Sequence, residues 1–448
     1  MRVINKVLSS LKNIHLQSLL GNGVMAAFGM LTMALLYRAL SLKDIGLYVF
    51  FMAIFGLIDT LRSGFLTTSF IKFYSGTNDF RAREVAGSAW AIALFITAIL
   101  VLVNAVIYIL PLTITDQGIL LLVNYFSFIS IATLPTFMSS LVLQADRRFD
   151  RYLWVRLINQ VLFTGTVVVL MTMNSANLQT VIISYTLCNL ITSIIIMVFG
   201  WSRIKSLRYT TKQAIKQLFD FGKYSVGTYV SSNLFKVIDT FFISYFLGPA
   251  ALAIYNLSGK LIQLVEMPLL SFASSGMPSL SGYYNNNEKD NMMYVMKKMI
   301  GIVSIMILII ALLSIVFAEP IILLIGGEKY LETEAVNLLR IFMIMTVLYP
   351  ADRYFGLTLD VIHMPKINFY KILCMLAVNL IADYIGILLF KSVYAIGIAN
   401  IFPLVLSILI AYVPLNKYNS FNFWNMYVIG YTEMKFILKR SYNSLFFN

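Results

Sequence analysis

Charged residues are scarce in this chain, and so are the side chains that build most metal sites. Only 12% of the 448 residues are Asp, Glu, Lys or Arg, whereas soluble proteins carry roughly 25%. The two histidines, His15 and His363, cannot build a His-rich metal site. Both cysteines, Cys188 and Cys374, fall in apolar runs, where thiols behave as small hydrophobes. A disulfide framework, a metal centre and a cofactor are therefore not predicted.

Motifs of nucleotide and sugar-nucleotide chemistry are also missing. The chain has no G-x-x-x-x-G-K-[ST] phosphate loop and no D-x-D motif. The largest predicted outer segment, 319–332, is short for a membrane polymerase. An enzyme is therefore not predicted, and a glycan polymerase or glycosyltransferase is the weakest alternative. The net charge of +14 does not indicate nucleic-acid binding, because membrane proteins concentrate Lys and Arg in cytoplasmic loops.

Apolar runs of membrane length recur from end to end, and 59% of the residues are hydrophobic. A helix of about 20 apolar residues crosses the hydrocarbon core of a bilayer. The sequence therefore predicts an all-α polytopic membrane protein. Pro268 and Pro278 interrupt the eighth span, Pro350 the tenth and Pro403 the twelfth, and each permits a hinge or a static kink. The twelve predicted spans are 17–39, 45–71, 85–111, 117–143, 154–173, 179–201, 219–247, 251–281, 298–318, 333–356, 368–390 and 394–415.

The distribution of Lys and Arg predicts the orientation and the domains. With both termini in the cytoplasm, inner segments hold 24 of the 34 basic residues and outer turns hold three. Such an excess on the inner side follows the positive-inside rule. A basic amphipathic linker, 202–218, separates six-helix bundles at 1–201 and 219–415. The polar tail, 416–448, is expected to lie on the cytoplasmic membrane surface, where it can bind anionic lipid.

The two halves resemble each other when one is shifted by 207 positions. The shift places Leu40 on Leu247, Tyr48 on Tyr255 and Asp59 on Glu266. Six spans per half give both halves the same orientation, so the repeat predicts a pseudo-two-fold axis along the membrane normal. Alternating-access transporters use this arrangement.

Several charged residues lie deep in the predicted spans. A charge near the centre of a membrane helix costs about 2.5–3.5 kcal/mol on insertion scales, so it usually faces protein or a wet cavity. The pairs Asp59–Arg62 and Lys236–Asp239 are each three residues apart, which puts their members on one helical face. The deep cations are Arg62, Lys236, Lys260 and Arg340, with Arg38 closer to the outer end of its span; the acids are Asp59, Asp239, Glu266 and Asp383.

Two interpretations of these charges stay open. They form structural ion pairs that only lock helices together, or they line a cavity. A cationic cavity suits a phosphate-bearing headgroup, because Arg and Lys bind phosphate oxygens. The acids would then neutralise the empty cavity or bind H⁺ or Na⁺ for energy coupling. Arg38 has a further simple explanation, because a long side chain near a helix end can reach the interface.

The segment Leu247–Leu257, LGPAALAIYNL, resembles the LG-x-x-x-x-G-x-Y opening of the eighth span in bacterial polysaccharide biosynthesis proteins. These are the Wzx-type lipid-linked oligosaccharide flippases of the MOP (multidrug/oligosaccharidyl-lipid/polysaccharide) exporter superfamily. Its first-half counterpart is Leu40–Tyr48. The Met277–Leu280 end of the eighth span and the outer turn Leu324–Tyr330 match as well. Ala253 departs from the usual glycine.

This resemblance implies two six-helix bundles forming a V around a cavity lined mainly by spans 1, 2, 7 and 8. It implies translocation of undecaprenyl-diphosphate-linked oligosaccharide from the inner to the outer leaflet of the bacterial cytoplasmic membrane. Surface polysaccharide such as O-antigen or capsule would be the product, and other polysaccharide-assembly membrane proteins would be partners. The principal alternative is a MATE-like exporter of drugs or cations driven by H⁺ or Na⁺.

Overall fold

The computed structural model describes residues 14–111 and 113–446, and every regular element in these ranges is a helix. This confirms the predicted all-α class. Six long helices make up the first half: α1 Ile14–Ala39, α2 Leu42–Tyr74, α3 Asp79–Ile109, α4 Gln117–Ala145, α5 Phe149–Thr172 and α6 Leu178–Val198.

The second half contains ten helices, several of them short. They are α7 Lys212–Phe242, α8 Pro249–Asn285, α9 Lys289–Val316, α10 Ala318–Gly326, α11 Ala335–Thr346, α12 Tyr349–Val361, α13 Pro365–Phe390, α14 Val393–Ala399, α15 Ile401–Tyr418 and α16 Asn425–Phe446.

Polar residues between the apolar runs begin the helices. Ser41, Asn78 and Asp116 each accept a hydrogen bond from a backbone N–H in the first turn of the following helix, at 3.1, 2.8 and 2.8 Å. Such capping satisfies donors that have no partner within the helix. α8 begins differently, because Gly248 adopts φ +89° and Pro249 occupies the first turn. Pro249 lies 207 positions after Leu42, the start of α2, which is the shift that aligns the two halves.

Eight helices among the described residues are long and apolar enough to cross a membrane, and the bent pair α11–α12 makes nine if it forms one span. The bend of 40° separates Ala335–Thr346 from Tyr349–Val361, next to Pro350. The interruption predicted at Pro350 is therefore confirmed, whereas α8 continues through Pro268 and Pro278 as one helix and Pro403 lies in the first turn of α15. α1 and α7 contribute shorter apolar stretches, Gly23–Ala39 and Val237–Leu247.

The chain divides into two compact units, Met1–Phe241 and Phe242–Asn448. The domain boundaries drawn from the predicted spans stay a prediction. In the first unit, Leu66, Phe70, Trp90, Met138 and Leu218 belong to one buried apolar cluster. The core is therefore formed by α2, α3 and α4 together with the start of α7.

The basic linker is fixed to α3. The indole N–H of Trp90 donates to the carbonyl of Ser202 at 2.7 Å. Gly87 approaches the linker so closely that a Cβ there would lie 2.1 Å from the Ser206 carbonyl oxygen. Glu84, just outside the third predicted span, accepts hydrogen bonds from the Thr211 hydroxyl and from Arg81. The linker is therefore attached to the first unit through α3.

Low pH is expected to weaken the contact between the linker and α3. The hydrogen bonds from Thr211 and then Arg81 hold the pKa of the Glu84 carboxyl below its usual value. The ionised Glu84 carboxyl therefore stabilises the contact between the linker and α3 at pH values above the carboxyl's unfolded pKa of about 4.3. That stabilisation is lost as the pH falls through the lower pKa of the folded state. Hydrogen-exchange protection of residues 204–211 should therefore fall as pH drops below about 4. Glu84→Gln should show reduced protection with no such pH step, and an identical acid step in that variant would contradict the assignment.

The C-terminal helix α16 packs on α9 through two glycines. A Cβ on Gly430 would lie 2.3 Å from the carbonyl carbon of Gly301, so the two backbones are in direct contact. Glu433 accepts hydrogen bonds from the Lys298 ammonium and from the Tyr294 hydroxyl, the latter at 2.8 Å. Small residues allow this close helix contact. The predicted position of the tail on the membrane surface stays a prediction.

Gly430→Leu is expected to separate α16 from α9, because the new side chain has no space at the crossing. Limited trypsin digestion should then cleave at Lys435 and Lys439 at least tenfold faster, since local opening governs access. Thr432→Leu, on the exposed side of the same helix, is the matched control and should digest like the parent. Equal digestion of the two variants would show that the glycine contact does not hold the helix.

Candidate functional site

Among the described side chains, Lys260 is a deep cation for which no ion pair or hydrogen bond is found. It lies on α8, where Leu257, Ser258 and Leu261 are buried and the Ser258 hydroxyl donates to the carbonyl of Ala335 at 2.9 Å. Lys260 itself is partly buried. Within the described part of the chain its ammonium has neither a hydrogen-bond acceptor nor an ion-pair partner. A desolvated cation of this kind is destabilising unless an anion binds it.

Arg62, in contrast, has partners inside the first unit for both Nη1 and Nη2, while its buried Nε has no acceptor among the described residues. Its residue is 1% exposed, and its Nη2 lies 2.6 Å from Asp59 Oδ1. The guanidinium also donates to the Ser130 carbonyl and the Thr133 hydroxyl, both at 3.1 Å, and to Thr97 at 3.4 Å. The predicted Asp59–Arg62 pair is therefore confirmed, and it ties α2 to α3 and α4. A role for Arg62 in substrate binding stays a prediction.

Arg340 lies on α11 and is half-exposed. Its Nη2 is 3.4 Å from Glu319, its Nη1 donates to the Asn337 side chain at 2.8 Å, and its Nε donates to the Ile315 carbonyl at 3.4 Å. Glu319 is at the start of α10, in the outer segment predicted from the sequence. Arg340 is thus connected to the end of the preceding span. Its predicted contact with substrate stays a prediction.

The other predicted site residues lie on three helices. Arg38 is exposed near the end of α1, while Asp239 on α7 and Glu266 on α8 are partly buried, and all three make further contacts. The side chain of Lys236 lies outside the described residues, so the predicted Lys236–Asp239 pair stays a prediction.

Asp383 belongs to a buried polar cluster of the second unit. It is fully buried on α13, and the Asn379 amide donates to its Oδ2 at 3.2 Å. The same amide lies 3.3 Å from Asn400 Oδ1, and the Asn400 amide donates to the Tyr255 hydroxyl at 2.8 Å. The cluster therefore offers one carboxylate with carbonyl and hydroxyl oxygens, a donor set that suits a proton or a hard cation.

Sequence reasoning missed a second buried ion pair. Lys371 on α13 is nearly inaccessible, and its Nζ lies 3.0 Å from Asp352 Oδ1 on α12. Ser407 on α15 also donates to this carboxylate oxygen. The sequence interpretation assigned Lys371 to a cytoplasmic segment. Its burial was not readable from sequence, because Asp352 is nineteen positions away and the contact forms only when α12, α13 and α15 pack together.

The structure thus brings some of the predicted residues together and not others. Asp59 contacts Arg62, Asp383 contacts Asn379, and Lys260 has no partner among the described residues. Among the described residues, no group of three or more His, Cys, Asp or Glu side chains could hold a metal ion. The described basic side chains could bind an anion, and Asp383 could bind a proton or a cation.

Known structures share this fold at low sequence identity. An inward-facing multidrug resistance MATE family transporter of the MOP superfamily matches with a TM-score of 0.71 at 13% identity, over 89% of this chain and 96% of that chain. The lipid II flippase MurJ, in an inward closed conformation, matches with a TM-score of 0.70 at 16% identity, over 96% and 99%. A MOP superfamily transporter from Pyrococcus furiosus, described as having a binding pocket of reverse polarity, matches with a TM-score of 0.59 at 14% identity, over 90% and 94%.

These likenesses establish the fold, and the sequence establishes the family. No curated protein sequence matches the chain. The sequence profile described as polysaccharide biosynthesis protein matches residues 35–335. The resemblance drawn from the short motifs is therefore confirmed over two thirds of the chain. This is a multi-pass membrane protein with the MOP superfamily fold, and it belongs to the polysaccharide biosynthesis protein family.

Proposed function

We propose that the protein flips undecaprenyl-diphosphate-linked oligosaccharide from the inner to the outer leaflet by alternating access, for O-antigen or capsule assembly. The family and the fold support a flippase. The observation that carries the proposal is Lys260, a desolvated ammonium without a described partner. A diphosphate would supply the missing counter-charge, since charge-assisted hydrogen bonds to phosphate are among the stronger contacts a protein makes.

The other predicted cations are proposed as further contacts for the headgroup, each within its own unit. Lys236 on α7 and Arg38 on α1 belong to helices that the family resemblance places along the translocation route. Arg62 and Arg340 would contribute when their present contacts exchange during transport. We further propose the bacterial cytoplasmic membrane as the location, with both termini in the cytoplasm. The excess of basic residues in the predicted inner segments supports this orientation.

A MATE-like exporter of drugs or cations is the second candidate, and the fold shared with a MATE transporter supports it. The buried carboxylate Asp383 would suit a cationic ligand, whereas Lys260 opposes one by repulsion. A membrane glycan polymerase or glycosyltransferase is the weakest candidate, because the chain lacks the motifs of nucleotide-sugar chemistry.

A reconstituted assay separates these functions. Proteoliposomes containing the full chain and a labelled undecaprenyl-diphosphate oligosaccharide should show protein-dependent exposure of the glycan to an enzyme on the opposite side. The same vesicles should not accumulate a fluorescent organic cation under a proton or sodium gradient. Cation uptake without glycan translocation would replace the flippase with the exporter, and elongation of the glycan would indicate a polymerase.

We propose that Asp383, with Asn379 and Asn400, binds the coupling ion, H⁺ or Na⁺. Support comes from full burial of the Asp383 carboxylate, which accepts a hydrogen bond from Asn379, and from the contact of Asn379 with Asn400. Asp383→Asn is isosteric and removes the negative charge, so translocation should no longer respond to the gradient and its rate should fall at least tenfold. Glu266→Gln, a partly buried acid on α8, is the matched comparison. Gradient dependence retained in Asp383→Asn and lost in Glu266→Gln would move the coupling site to α8.

A further inference from the structure

The second unit has an apolar groove whose lining the proposed transport does not use. It is formed by α13 and the α14–α15 segment, and its volume is about 750 Å³. Phe390 and Phe402 line it and remain 70% and 57% exposed, so the groove is open along one side. Its volume falls within the range of small-molecule sites, about 300–1,000 Å³.

Small residues on the two facing segments create the groove. Ala382 and Gly386 are one turn apart on α13, and Ala395 and Ala399 are one turn apart on α14. A Cβ on Gly386 would lie 3.3 Å from the Ala395 Cβ, so the backbones approach closely at the floor. The larger side chains of Ile381, Ile385, Ile398 and Phe402 stand on either side as walls. The result is a channel with hydrocarbon walls on helices apolar enough to span a membrane.

One end of the groove has a polar and cationic rim. Tyr394 lines the groove, and its hydroxyl accepts a hydrogen bond from Asn337 at 3.4 Å. Asn337 in turn accepts from Arg340 Nη1 at 2.8 Å. Lys391 is exposed in the turn between α13 and α14, next to the groove residue Ser392. Arg340 uses three of its five N–H donors in described contacts, so two remain for an anion.

The length of the groove indicates which hydrocarbon chain it can hold. Its lining residues on α13 extend from Val378 to Phe390, which at about 1.5 Å per residue corresponds to roughly 18 Å. Half of a hydrocarbon core of about 30 Å is close to this length. One acyl chain of one leaflet therefore fits along the groove. The much longer isoprenoid chain of an undecaprenyl lipid would extend beyond it.

We propose that this groove binds an acyl chain of an anionic phospholipid, whose phosphate is held at the rim by Arg340 and Lys391. The charge of the rim complements a phosphate, and the lining complements a hydrocarbon chain. The groove and the polar cluster share helix α13, since the lining residue Ala382 precedes Asp383. The rim shares Arg340 with the proposed headgroup contacts, whereas the apolar lining and Lys391 are not part of the proposed transport route.

Native mass spectrometry of the full-length protein in detergent tests the site. When phosphatidylglycerol and phosphatidylcholine of equal chain length are both present, the parent protein should retain one phosphatidylglycerol in preference to phosphatidylcholine. Arg340→Gln/Lys391→Gln should bind phosphatidylglycerol about 30-fold more weakly, because two cations near an anionic lipid are lost. Phosphatidylcholine binding should change little in this variant. A phosphatidylglycerol preference that survives the double substitution would overturn the headgroup assignment.

Filling the groove tests the chain-binding part. Ala382→Trp should abolish retention of both lipids, and Ala377→Trp, at an exposed position of α13 outside the lining, should retain them. Ile398→Trp on the opposite wall gives a second blocking variant in case Ala382→Trp fails to fold. Unchanged retention in a folded blocking variant would overturn the groove as the site. If undecaprenyl phosphate displaced phosphatidylglycerol and bound the groove more tightly, the assignment of a phospholipid as the occupant would be overturned.

Discussion

Lys260→Ala is expected to stop surface glycan display in cells while the protein remains folded and at its normal level. Surface display should fall at least 100-fold, because the Lys260 ammonium is proposed to bind the diphosphate in every transport cycle. Stability should be unchanged or slightly higher. The side chain is partly buried without a described partner, so its removal ends a desolvation cost and breaks no ion pair.

Two comparisons make this result specific. Lys260→Arg keeps the charge and should restore part of the display. Lys223→Ala removes a cation that forms an exposed pair with Asp220 at 3.2 Å on α7, and display should stay close to the parent. Display by Lys260→Ala at the parental level, with equal protein in the membrane, would remove Lys260 from the substrate site.

Arg62→Met is expected to act first on stability, in contrast to Lys260→Ala. Arg62 holds Asp59 and donates to two other helices, so its loss leaves the Asp59 carboxylate without its cation and removes the hydrogen bonds to α3 and α4. Removing one member of a buried pair costs about 3 kcal/mol or more. Thermal unfolding in detergent should therefore occur several degrees lower, and less protein should accumulate in the membrane.

The double variant Asp59→Asn/Arg62→Met separates structure from function. Removing both charges should recover most of the lost stability, because no uncompensated charge remains. If Arg62 also binds substrate, the recovered protein will still fail to display glycan. Full recovery of display would assign Arg62 to helix packing alone. Thermal unfolding of the single and double variants, with display measured at matched protein levels, gives both answers.

Apolar runs of membrane length were sufficient to predict the long helices and their order. Apolar runs end near polar residues such as Ser41 and Asn78, which begin the next helix, and Pro350 adjoins the predicted interruption. The Asp59–Arg62 pair was predictable because residues three apart share a helical face. These features depend on local geometry, so the sequence contains their signals.

Contacts between distant helices were not predictable in the same way. Asp383 was identified as a deep acid, but its link to Asn400 requires α13 and α15 to pack together. Asn379, four residues before Asp383, was the available signal. The pair Asp352–Lys371 and the contact between Gly301 and Gly430 likewise depend on tertiary packing. Arg340 was predicted as a deep cation, whereas its partner Glu319 belongs to a predicted outer segment.

The most direct test of the central claim is the phosphate selectivity of binding. Purified parent protein should bind undecaprenyl diphosphate about 10- to 100-fold more tightly than undecaprenol, as expected for charge-assisted hydrogen bonds. The preference should disappear in Lys260→Met and return in part in Lys260→Arg. An equal preference for the diphosphate in the parent and in Lys260→Met would contradict the assignment of Lys260 as the phosphate ligand.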